Sequence, residues 1–242
     1  LKQELNPPVW IILEWAVFAI QLAIYGALIS KLVTSMDDYL KFYAVGFIVM
    51  MTFEIGSHTG RHFVEHAHEG QLPYLLSLPI DRWKLFLSVA FQGGVELALL
   101  LIVPLAVTLT ILGNLTVVSV VSAVVTLFWL GFGVSGLMLA FSFIAFRSAD
   151  IYTAIVTALS TLIIRFSTVF YPIIFLPPSY ATAAVFSPLT YGSDLVRFLL
   201  GFNPTMLMNP RIATAVLTAL AVSTLGLGAF LLQRLVEGVK SG

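Results

Sequence analysis

The chain has 242 residues, of which 59% are hydrophobic and 10% charged. Water-soluble domains run at roughly 45–50% apolar and about 25% charged, so this composition excludes an ordinary soluble fold. Twelve basic residues balance twelve acidic ones, which leaves no electrostatic case for nucleic acid, and the lack of cysteine excludes disulfides, thiolate nucleophiles and cysteine-ligated metals.

The amino terminus has no signal-peptide order of charged region, short apolar core and small-residue cleavage site. Leu1 is not an initiator methionine, so a few residues upstream of it are expected. Residues 1–242 read as a single membrane domain with no room for a separate soluble one.

About 20 mostly apolar residues cross a bilayer, and six segments fit that range: Val9–Ser30, Leu40–Gly56, Leu85–Leu112, Val117–Phe146, Ile151–Tyr171 and Ile212–Leu232. The expected fold is an all-α integral membrane protein with six transmembrane helices. Ionisable residues inside such helices are costly and are functional candidates by default. Glu14 lies a turn or two into the first segment, and Glu54 near the end of the second, each within reach of an interface. The second segment is short, and is predicted to continue as a helix into the polar stretch that follows.

That stretch, Ser57–Lys84, holds every histidine. His62, Glu65, His66 and Glu69 share one helix face by the three-and-four spacing rule. Such a face can bind a divalent metal, and His58–His62 has the H-x-x-x-H spacing of membrane hydroxylases and desaturases. Those enzymes distribute several such boxes along the chain, whereas this chain has no histidine elsewhere. A solvated helical face is the preferred reading, with no metal. Further on, Leu72, Leu75, Leu76 and Leu78 give an apolar helical face, Pro79 suits a first turn, and Asp81 suits a positive helix end. A short amphipathic helix on the membrane surface is predicted, which either anchors the loop or transmits a push from a soluble partner.

In the third segment Glu96 lies roughly 18 Å from the helix start, at 1.5 Å per residue. Gly113-Asn114 makes a tight turn to the fourth segment. There, Gly131, Gly133 and Gly136 superficially match a dinucleotide fingerprint, but they lie in an apolar helix after no strand, so close helix packing is expected. No G-x-x-x-x-G-K-[ST] phosphate loop occurs anywhere. In the fifth segment Thr153, Thr157, Ser160, Thr161, Ser167, Thr168 and Tyr171 fall within roughly 120° on a helical wheel. Arg165, roughly 22 Å along, flanks that arc, while Ile155, Leu159, Leu162 and Phe166 lie opposite. The stripe reads as a pathway or subunit interface, or as hydroxyls bonded within the bundle. Glu96 and Arg165 are expected to face the interior and to pair. The connection Pro172–Arg211 is rich in proline yet apolar, predicting short helices that dip into the membrane edge.

Lysine and arginine set orientation. With both termini inside, Lys2, Arg61, Arg82, Lys84, Arg147, Arg234 and Lys240 are cytoplasmic, against Lys31, Lys41, Arg197 and Arg211 outside.

Two runs carry a family resemblance. EGQLPYLLSLPIDRW, residues 69–83, resembles the segment before the third helix of type 2 ABC-transporter permeases, although Pro73 departs from the family's usual polar residue. FYPIIFLPPSYATAAVFSPLTYGSDLVRF, residues 170–198, is similar to that family's outer segment after the fifth helix. The resemblance implies a permease subunit of an ATP-driven exporter in the plasma membrane, paired with a second copy or paralogue and docked on separate ABC ATPase subunits that hold ATP and magnesium. It implies a coupling helix at residues 78–83, with Glu69, Gly70, Leu78, Pro79, Ile80, Asp81, Arg82 and Trp83 at the ATPase interface. It also implies re-entrant outer helices as an extracellular gate, including Pro172, Pro177, Pro188, Asp194 and Arg197. The chain itself is then no enzyme and binds no cofactor, and its cargo is a lipophilic or amphipathic molecule such as a drug or lipid. A secondary transporter or channel uses the same helices without an ATPase, and a membrane metalloenzyme is the third reading.

Overall fold

The computed structural model describes residues 7–32, 39–69, 81–113, 115–144, 148–201 and 207–240. Among them every regular element is helical. The first helix runs Pro7–Gln21 (α1), loosens into a π-helical stretch at Leu22–Ala27, and resumes as Leu28–Leu32 (α2). It is followed by α3 (Tyr39–His68), α4 (Arg82–Leu112), α5 (Val117–Ile144) and α6 (Ala149–Arg165). A 3₁₀ turn at Ile173–Phe175 leads to α7 (Pro178–Ala184), α8 (Pro188–Leu199) and α9 (Pro210–Lys240).

Among the described residues four helices are long and apolar enough to cross a membrane: Tyr39–His66, Phe86–Leu112, Val117–Phe143 and Pro210–Leu231. Two of the six expected crossings differ. The first is interrupted by its π turn, leaving an apolar helix over Ile11–Gly26. The fifth stops as a helix at Arg165, six residues before Tyr171.

The bundle is inside-out by the standards of water. Large apolar side chains stand exposed along α1 (Ile12, Val17, Ile20), α4 (Phe91, Leu99, Ile102), α5 (Val117, Val121, Val125) and α9 (Ile212, Val222, Phe230). A belt of that extent requires a lipid solvent or a partner. The least apolar of the four long helices, α3, is the central one: 83% of its span window is buried, against 28%, 33% and 22% for the others. Its Thr52, Ser57 and Thr59 are buried among the neighbouring helices, whereas Glu54 is exposed.

Helix packing follows small residues. Gly133 and Gly136 of α5 meet Ala221 and Thr224 of α9, and Thr224 Oγ1 donates to the Gly133 carbonyl at 2.9 Å. The GFGVSG run thus serves close packing, as expected from its place in an apolar helix. In α4, Pro104 has no N–H for the carbonyl four residues back. That carbonyl, of Leu100, instead accepts the indole N–H of Trp15 at 3.0 Å, which fixes α1 against α4. Gly113 ends α4 at φ 84°, a backbone state that suits glycine.

The helices run up and down. Phe63 packs on Phe143, and a Cβ on Gly228 would meet the Phe86 ring, so the end of α3, the start of α4, the end of α5 and the later part of α9 share one end of the bundle. The opposite end gathers the start of α3, the residues after α6, and α8. In α1, Phe18 packs on Phe47, and Gly26 nears Leu40 and Tyr43, so the first helix starts at the histidine-bearing end.

Candidate functional site

A cavity of about 490 Å³ opens between α1, α3, α4 and α6. One wall is the polar stripe of α6: Thr153, Thr157, Ser160, Thr161 and Arg165 all line it. The facing wall is α3, through Met51, Glu54, His58 and Arg61, whose spacing of three, four and three places them on one helix face. Glu14 of α1 and Leu100 of α4 complete the lining.

Local chemistry fixes each wall. Ser148 caps α6, accepting from the Ile151 N–H at 3.4 Å, and Asp150 and Arg165 sit at the helix ends that favour their charges. Buried Tyr152 donates its hydroxyl to the Ser57 carbonyl at 3.1 Å, pinning α6 to α3 at the cavity edge. Thr153 and Thr161 donate to carbonyls one turn back, at 2.9 and 2.8 Å. Their hydroxyl oxygens remain acceptors toward the cavity.

The charges divide into held and unheld. Arg61 donates through Nε to Glu65 Oε1 at 2.8 Å. Glu14 and Glu54 lie near enough to repel one another, and among the described residues neither has an ion-pair partner. Glu54 is not near a helix end, as expected from the sequence, because α3 continues fourteen residues beyond it to His68. It sits midway along α3. The expected pair of Glu96 and Arg165 does not form: no ion pair joins them among the described residues, Arg165 lines the cavity, and Glu96 is not among the lining residues.

The polar stripe is shorter than the wheel predicts. Ser167, Thr168 and Tyr171 lie past the end of α6, and Thr168 enters a second, different cluster. There Arg197 of α8, 2% exposed, donates to the carbonyls of Thr168 (3.0 Å), Val169 (2.6 Å) and Phe42 (3.2 Å), with its guanidinium 3.5 Å above the Phe42 ring. Asp194 accepts from the backbone N–H of Leu207 at 2.9 Å and of Met208 at 3.3 Å, and from Thr168 Oγ1 at 3.3 Å. Its Oδ1 lies 3.9 Å from Arg197 Nη1. Burial lowers the guanidinium's pKa and raises the carboxyl's, each opposed by the other's charge.

The clamp explains why α6 stops. The Thr168 and Val169 carbonyls are taken by Arg197 instead of by helical N–H groups, and Pro172 disfavours helix at the residue before it. Asp194 and Arg197 are thus buried supports of this end of the bundle. Gly46 completes the arrangement, since a Cβ there would run into the Val169 carbonyl. Of the outer prolines, Pro172 is buried and precedes the 3₁₀ turn, Pro177 is exposed before α7, and Pro188 opens α8.

The loop expectations are partly resolved. Gly70, Leu78, Pro79 and Ile80 lie outside the described residues. Of the coupling helix expected over residues 78–83, Asp81, Arg82 and Trp83 are described: Asp81 has an extended backbone (φ −60°, ψ 131°) and marks the N-cap of α4. Arg82 and Trp83 belong to the first turn of α4, where Trp83 is exposed and Lys84 Nζ reaches Asp81 Oδ2 at 2.7 Å. Glu69 closes the other side, 3.4 Å from His66 Nδ1, as Glu65 does toward His62 at 3.6 Å. Among the described residues no three His, Asp or Glu side chains converge as on a metal ion.

Sequence reasoning missed His58, Arg61 and Tyr152 as cavity residues, although the Met51, Glu54, His58, Arg61 spacing carries the signal for the first two. It also missed Phe42 and Gly46 in the clamp, for which no local signal exists. No protein-family model matches the chain, and no curated protein matches it.

Proposed function

We propose that this chain is the membrane-spanning subunit of an ATP-driven exporter in the cell membrane, built as a type 2 ABC permease. In this reading the chain crosses six times: the first helix with its π turn, then α3, α4, α5, α6 and α9. Both termini and the histidine-bearing end face the cytoplasm. Arg197 leaves the outer count of basic residues because it is buried, which strengthens the inward bias of the exposed ones.

The observation that carries a transport role is the cavity, which places hydroxyls, two carboxylates and two guanidiniums within a bundle whose outer surface is apolar. Ionisable groups at membrane depth mark cargo and ion pathways. The assignment to an ATP-driven machine rests on the resemblance of residues 69–83 and 170–198. Two permease subunits enclose the pathway, two separate ATPases bind ATP and magnesium, and residues 69–83 carry their motion into α4. The 3₁₀ turn, α7 and α8 form the outer gate.

The same cavity serves a secondary transporter or channel without an ATPase, and one experiment separates the two. The chain is purified from its native membrane and probed for a copurifying phosphate-loop ATPase, whose hydrolysis is then measured with and without cargo. Arg82→Glu and Pro79→Ala are expected to retain ATP hydrolysis while losing most of the cargo flux in proteoliposomes. Full-rate flux with no ATPase present, or normal coupling in both variants, overturns the proposal.

A further inference from the structure

Glu14 and Glu54 both line the cavity, and neither has an ion-pair partner among the described residues. Glu14 stands on α1, which exposes Ile12, Val17 and Ile20, and Glu54 stands on α3, whose neighbouring positions Phe53 and Ile55 are buried. The cations nearby are accounted for. Arg61 stands two turns from Glu54, about 10 Å along α3, and is held by Glu65 at 2.8 Å. Arg165 occupies the last turn of α6, where a cation complements the helix dipole. Between them the cavity offers hydroxyl acceptors from Thr157 and Thr161, with apolar contact from Met51, Leu100 and Val156. Its volume of about 490 Å³ is that of a site for a drug-sized molecule.

We propose that this cavity takes an amphipathic organic monocation, with its cationic centre between Glu14 and Glu54 and its apolar part against Met51, Leu100 and Val156. The proposal rests on the reading of the cavity as a cargo pathway and names the cargo's class. The carboxylates select sign of charge, while the apolar lining accepts varied shapes, because dispersion and apolar burial are not directional.

Tetraphenylphosphonium and tetraphenylborate, matched in shape and opposite in charge, test it. Binding of each to the purified chain in neutral-lipid nanodiscs is measured by equilibrium dialysis, with empty discs subtracted. Saturable phosphonium binding without borate binding is expected. Glu14→Gln and Glu54→Gln should each weaken it about tenfold, Glu96→Gln should leave it unchanged, and Glu54→Lys should turn the preference toward borate. The Lys variant gains a property, so it reports even where a loss could come from misfolding. Equal binding of both ions, no saturable binding above empty discs, or unchanged affinity in both Gln variants overturns the proposal. Displacement of the phosphonium by low sodium or potassium assigns the carboxylates to an inorganic ion and overturns it too. Lost phosphonium binding with intact ATPase coupling removes this cargo class and leaves the exporter. Intact binding with no ATPase companion removes the exporter and leaves the site.

Discussion

The cavity and the Arg197 clamp use the same residue types to opposite ends. In the clamp one guanidinium and one carboxylate are almost wholly buried and satisfy five backbone groups between them. In the cavity Glu14, Glu54 and Arg165 stand open without ion-pair partners among the described residues. A buried charge persists only when paired and hydrogen-bonded, and removing one partner strands the other. An open charge holds nothing together. Charges that fix the fold and charges left open to the cavity thus differ in their partners. The residues after Arg165 display the boundary, because the stripe that lines the cavity up to Arg165 turns into the clamp at Thr168.

The sharpest way to break this contrast is Arg197→Met. It leaves Asp194 buried without its cation and strips three carbonyls of their donor, so a loss of about 3–5 kcal/mol is expected, read as a lowered unfolding midpoint in detergent. A midpoint near that of the parent would make the clamp dispensable. Gly46→Ala comes next. Its methyl must displace the Val169 carbonyl, and overpacking of that kind costs about 1–3 kcal/mol, read in the same assay. Smallest is Glu54→Gln, expected to change stability by no more than about 0.5 kcal/mol because no protein cation depends on it. A large stability loss there would show that the cavity carboxylate is structural after all, and would erase the distinction.

Much of the fold was legible because lipid imposes a coarse rule: apolar length. The extension of α3 through the histidines, the stop at Gly113 and the packing role of GFGVSG followed from composition, turn chemistry and small residues. The stripe on α6 was legible up to Arg165 because periodicity is local. Its end was not, since the group that intercepts the Thr168 and Val169 carbonyls lies about 30 residues downstream on α8, and no local pattern announces that. The Glu96 and Arg165 pairing failed for a related reason: similar depth says nothing about which helix faces which. The π stretch at Leu22–Ala27 left no trace in an evenly apolar run.

The central place of α3 has a consequence for how the chain reaches its membrane. Measured alone, this helix is the one with the weakest tendency to leave water for hydrocarbon among the four long ones. Its Thr52, Ser57 and Thr59 are covered only once other helices surround it. Stable burial of α3 therefore waits on α4 and α5, its main packing partners, which are synthesised after it.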